Sequence, residues 1–124
     1  MKYLNLLLIL FLFSCNSTPE SNKSEKSAKE QAQGFLDSFD TEFIKLRYAS
    51  ARAEWKANTY IKEGDSLTEK WVEESNKALA SFTGSEKIIN RTRALLEMKD
   101  SLSDLQVRQL DKILYRAAQN PGTV

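Results

Sequence analysis

The side chains that carry acid–base, nucleophilic or metal chemistry are sparse in this sequence. Of 124 residues none is histidine and one is cysteine, Cys15. Without imidazole, neither a Ser/His/Asp nor a Cys/His arrangement can be assembled. An H-E-x-x-H zinc helix, which needs two imidazoles one turn apart and a glutamate to activate the metal-bound water, is excluded as well. Among the carboxylates, Asp37, Glu42 and Glu54 fall at spacings that do not converge on one helix face, so no paired-carboxylate acid/base site is expected. The clusters Glu69-Lys70, Glu73-Glu74 and Glu97 with Lys99 and Asp100 read as solvated helix faces. No catalytic residue and no metal ligand is therefore assigned, and no substrate-binding residue is identified. The aromatic residues Tyr48, Trp55, Tyr60, Trp71 and the phenylalanines are expected in the core or in helix–helix contacts, because aromatic residues at helical spacing usually pack there.

The elements that hold these residues read as helices, with no alternating strand pattern. Ala32, Phe35, Phe39, Phe43 and Leu46 recur at steps of three and four, the period of one helix face. Ser27-Ala28-Lys29-Glu30 has capping-box spacing, which predicts a helix from about Ala28 to about Asn58, roughly 45 Å long at ~1.5 Å per residue. A second pattern places Leu67, Trp71, Ala78, Leu79 and Phe82 on one face, with Ser75 interrupting it and Gly84 as C-cap; Gly64 marks the preceding turn. A third helix is predicted over 85–100 with Ile88, Ile89, Thr92, Leu95 and Leu96 buried. A fourth starts at Ser103, with Gln106 at capping-box spacing, and buries Val107, Leu110, Ile113, Leu114 and Ala117. Asn120-Pro121-Gly122 stops it. The expected fold class is all-α, an antiparallel layer or bundle of about four helices.

The amino terminus reads as an export signal. A basic start, Met1-Lys2, precedes an apolar run over residues 3–13, about 16 Å as a helix and too short for a ~30 Å hydrocarbon core. Leu12-Phe13-Ser14-Cys15 resembles a bacterial lipobox, in which the cysteine is lipidated and becomes the new amino terminus. Residues 1–14 are thus expected to be a lipoprotein signal peptide and Cys15 the lipid attachment site. An unpaired cysteine in an exported chain is then accounted for without a disulfide. Residues 15–27, rich in Ser, Asn, Lys and Glu, are expected to be a flexible tether. The formal net charge is +1 with Lys2 included, which leaves no electrostatic case for nucleic acid. Asn16-Ser17-Thr18 and Asn90-Arg91-Thr92 match the N-glycosylation pattern, but the pattern is short and a lipobox points to bacteria.

The full spelling of residues 31–61, AQGFLDSF followed by YASARAEWKANTYI, closely resembles the N-terminal helix of the angiotensin-converting-enzyme (peptidyl-dipeptidase A) family of zinc metallopeptidases. The likeness weakens over residues 67–82, where Trp71 supports it, and is general over 95–118. The resemblance implies that residues 28–124 are the N-terminal helical part of a larger, mainly helical peptidase fold, lying as a lid-like layer over one side of a substrate cleft. The family releases C-terminal dipeptides from oligopeptides with zinc. The positions that hold zinc and substrate in that family have no counterpart in this sequence, so no cofactor is expected in this chain and zinc belongs to the full-length family.

Two functional classes follow. One is an N-terminal fragment of a lipid-anchored peptidyl-dipeptidase-like metallopeptidase of the bacterial cell envelope, inactive alone, whose partners are the membrane through Cys15, the remainder of the peptidase domain and, in the whole enzyme, an oligopeptide substrate. The alternative is a self-standing, non-catalytic lipid-anchored helical protein that binds a partner or peptide. In the fragment, the stripe of Phe35, Phe39 and Trp55 is expected to lack part of its cover.

Overall fold

A computed structural model describes residues 20–119, with side chains from Ser27 onward. All described regular structure is helical. The chain forms α1 (Glu20–Thr59), α2 (Ser66–Thr83), α3 (Glu86–Leu96), a 3-10 turn (Lys99–Ser101) and α4 (Asp104–Ala118). The expected signal peptide, the expected lipid attachment site Cys15 and the expected stop at Asn120-Pro121-Gly122 lie outside the described residues. Among the described residues no helix is long and apolar enough to cross a membrane.

α1 is the spine. It begins at Glu20 and not near Ala28, so Ser27 lies inside the helix, where its hydroxyl oxygen accepts from the Gln31 amide 3.4 Å away. The segment 20–27, placed in the tether by composition, is helical: its Glu and Lys are good helix formers, and extending an existing helix avoids a new nucleation cost. One stripe of α1 faces inward throughout. In its first half the stripe is large, with Ala28, Ala32, Leu36 and Phe39 buried and Phe35 and Phe43 half-buried beside them. In its second half it is small, with Ser50 and Ala53 fully buried and Ala57 half-buried.

That change of size sorts the partners. α2 runs back antiparallel along the small half of α1, as the pairs Lys56 with Trp71, Ser50 with Asn76 and Phe39 with Phe82 show. Small residues let the two backbones approach closely, and Ser50 donates to the Asn76 amide oxygen at 2.5 Å, which satisfies a hydroxyl with no access to water. The turn between them uses Gly64 at φ 74°, a left-handed conformation that favours glycine. Asp65 then caps α2, accepting from the Thr68 N–H at 3.1 Å and the Thr68 hydroxyl at 2.7 Å.

The buried face of α2 departs from the expected one. Thr68, Ser75 and Thr83 are buried, Trp71, Leu79 and Phe82 are half-buried, and Leu67 and Ala78 point outward. Ser75 lies on the packed face because its hydroxyl donates to the Trp71 carbonyl at 2.7 Å, so it carries no unmet polar atom inward.

α3 and α4 form a hairpin that covers the large half of α1. Gly84 ends α2 and Ser85 caps α3 through the Ile88 N–H. α3 stops at Leu96, short of the predicted Asp100, and the 3-10 turn carries the chain to Leu102, whose side chain is buried in the core. α4 opens with the expected capping box between Ser103 and Gln106 and buries Leu110, Ile113 and Ala117. It runs parallel to α1, with Gln106 beside Lys29 and Arg116 over Phe43.

Phe39 sits where these elements meet. Its ring stacks on Phe43 at 5.7 Å and on Phe82 at 5.2 Å, and Phe35 tilts against it at 6.4 Å. Phe39 is only 4% exposed, so the expectation that it would lack cover is corrected: α2 and α4 provide it.

Candidate functional site

A half-open groove of about 780 Å3 lies between α1 and α3, closed at one end by the last turn of α2. Its floor is Phe35, Phe39, Phe82 and Ile88. Gly34 and Ser38, one turn apart, form the low wall on α1, and a Cβ placed on Gly34 would meet nothing within 4 Å. The opposite lip carries Lys87 and Arg91, also one turn apart on α3. The groove exists because α3 packs on α4 and only sparsely on α1.

Arg91 reaches across one end and donates to the Gln31 side-chain oxygen at 3.4 Å. Among the described residues no carboxylate pairs with Lys87 or Arg91. At the other end Glu42 is held by Lys45 at 3.3 Å. The lip is thus basic over an aromatic floor. The Ser85 hydroxyl is committed to capping α3, and neither it nor Ser38 has an imidazole to activate it. The arrangement is suited to binding an apolar surface that bears negative charge.

The second feature is an uncovered face of α1. Ile44, Tyr48, Ala51 and Trp55 follow a four-three-four spacing along one stripe and all are exposed, Trp55 at 69%. Tyr60, Ile61 and Leu67 continue this apolar exposure around the α1–α2 turn. The expectation that Tyr48, Trp55 and Tyr60 pack in the interior is therefore corrected. The inward stripe of this half of α1 is taken by Ser50, Ala53 and Ala57, which leaves these aromatic residues on the outer face. Trp71 is half-buried, with the Lys56 ammonium 5.8 Å from its ring centroid.

The carboxylates singled out in the sequence are dispersed. Asp37 accepts from the Gln33 amide at 2.8 Å, Glu42 pairs with Lys45, and Lys70 meets Glu74 at 3.7 Å on an exposed face. Among the described residues no group of three or more Asp, Glu, Cys or His side chains converges. The donor set present does not fit a zinc site of the resembled peptidases, whose ligands include two histidines. Asn90 and Thr92 lie within α3, with Thr92 fully buried and donating to the Ile88 carbonyl at 2.7 Å. Sequence reading left Gly34, Ser38, Lys87 and Arg91 unmarked. The available signal was the basic pair four residues apart in α3, with a small pair at the same spacing beside Phe35 and Phe39.

Comparisons with family models, with curated proteins and with solved structures find no match to this chain.

Proposed function

We propose that this chain is the N-terminal helical layer of a zinc metallopeptidase resembling peptidyl-dipeptidase A, attached to a bacterial envelope membrane by lipid on Cys15 and non-catalytic by itself. Zinc, the oligopeptide substrate and dipeptide release belong, in this reading, to the remainder of the domain. One observation carries it. Within the segment whose spelling resembles the family, residues 31–61, the second half turns Tyr48, Trp55, Tyr60 and Ile61 to solvent while Ser50, Ala53 and Ala57 face α2. Exposed apolar surface of that extent marks a face that another body covers. A layer of about four helices with one long spine is the shape expected of a wall laid over a larger peptidase body.

Reading the DNA downstream of codon 124 tests this directly. An in-frame H-E-x-x-H within a few hundred codons is the expected result. A stop codon followed by unrelated sequence would overturn it and leave the lipid-anchored helical binding protein. Lipid attachment is tested separately by fractionation: wild type is expected with the membrane and with acyl mass, and Cys15→Ala without either.

A further inference from the structure

Independently of any peptidase, we infer that the α1–α3 groove seats an acidic amphipathic α-helix from another polypeptide. The dimensions set the class of occupant. From Gln31 to Glu42 the α1 wall rises about 16 Å, three turns, at ~1.5 Å per residue. Two helices that touch only sparsely, with an aromatic floor between them, present the cradle into which a third helix lays its apolar face, with anchors at steps of three and four. Phe35 and Ile88 are half-buried on that floor and gain cover from such a guest. Gly34 and Ser38 offer little bulk, so the guest backbone can come close to α1 on that side.

Charge selects among apolar helices. Lys87 and Arg91 stand one turn apart on the lip, and no described carboxylate neutralises them. Guest carboxylates four residues apart match that spacing. Glu42 is already held by Lys45, so it opposes an acidic guest only weakly. The chain as a whole carries a formal charge of +1, too little to attract acidic peptides without a local site.

The test uses the full chain and two synthetic helical peptides that share one leucine stripe. In the first, the flanking positions facing the lip are glutamate; in the second they are lysine. Fluorescence anisotropy is expected to give at least about tenfold tighter binding of the glutamate peptide, decreasing as salt rises. Lys87→Glu combined with Arg91→Glu should invert the preference. Gly34→Leu adds bulk to the groove at a position where a Cβ meets nothing within 4 Å and improves helix propensity, so it should weaken both peptides about tenfold without lowering the melting temperature. Equal affinity for the two peptides, no binding of either at about 1 mM, or unchanged binding by Gly34→Leu would overturn the inference. Self-association that Gly34→Leu abolishes would assign the groove to a second copy of this chain and overturn it as well.

Discussion

The side-chain amide of Gln106 donates to the backbone carbonyl of Lys29 at 3.0 Å, joining the start of α4 to the spine across 77 positions of sequence. The same side chain completes the capping box, its oxygen accepting from the Ser103 N–H at 3.1 Å. A second contact, to the Gln33 side-chain oxygen at 3.4 Å, lies alongside. One buried residue therefore starts a helix and docks it. Gln106→Ala removes the reciprocal half of the capping box and the docking bond, while the backbone N–H at 106 can still donate to the Ser103 hydroxyl, and should cost about 1–3 kcal/mol. Gln106→Glu keeps the acceptor toward Ser103 but aims a carboxylate at the Lys29 carbonyl, so it should also destabilise. Chemical denaturation of the three proteins checks this, and a loss below about 0.5 kcal/mol for both variants would show that the docking bond contributes nothing.

Phe39 touches Phe35, Phe43 and Phe82, which ties α1 to itself and to α2. Phe39→Ala should cost about 3–5 kcal/mol through lost burial and the cavity left behind. Phe35→Ala should cost clearly less, because Phe35 is half-buried on the groove wall. Urea titration of both variants would reverse this ranking only if the Phe39 site collapses fully around alanine.

These two residues also show how much of the fold was legible. The period of three and four located part of the inward stripe of α1, with Ala32 and Phe39 buried but Leu36 missed, and the Ser103–Gln106 spacing located the start of α4, because both signals are local. The tertiary bond of Gln106 was not legible, since nothing in the spacing tells which carbonyl lies 77 positions away. Ser75 and Leu67 were misplaced for a related reason. A serine can bond to its own helix and enter the packed face, while a leucine near a turn can be left outside, and hydrophobicity alone ranks them the other way. Trp55 failed similarly: the rule that aromatic residues are core has no means of seeing that Ser50, Ala53 and Ala57 had already taken the inward side. The groove was legible only in part: the pairs Gly34/Ser38 and Lys87/Arg91 stand at four-residue spacing, but that the two helices stand apart between them is tertiary, and no residue type encodes it.

Asp65 gives the chain an acid-sensitive cap. Its carboxylate is held below the ordinary value of 3.8 by the Thr68 hydroxyl first and by the Thr68 N–H second, with Lys56 and Lys62 adding attraction. A depressed carboxylate contributes stability that is fully present above its unfolded value and is lost as pH falls through the folded one. The melting temperature of wild type should therefore fall below about pH 4 partly through this residue. Asp65→Asn keeps an N-cap acceptor without the titration, so its contribution to that fall should disappear. Superimposable acid profiles for wild type and variant would assign the whole effect to other groups.

The outward stripe of Ile44, Tyr48, Ala51 and Trp55 should make the isolated chain associate with itself. Four apolar positions at four-three-four spacing form a seam on which helices pair. The inward face of the same turns is filled by Ser50, Ala53 and Ala57, so changing the outer stripe leaves the α1–α2 contact untouched. Tyr48→Ser with Trp55→Ser should thus shift stability by no more than about 0.5 kcal/mol for each site, as exposed substitutions usually do. It should nevertheless lower the sedimentation coefficient at high concentration and reduce binding of a hydrophobic dye. Wild type is expected to sediment faster as its concentration rises and to melt over a broad range. A strictly monomeric wild type with a sharp, reversible melt would show that this face needs no cover. That result would remove the observation on which the peptidase-layer reading rests and favour the self-standing helical lipoprotein.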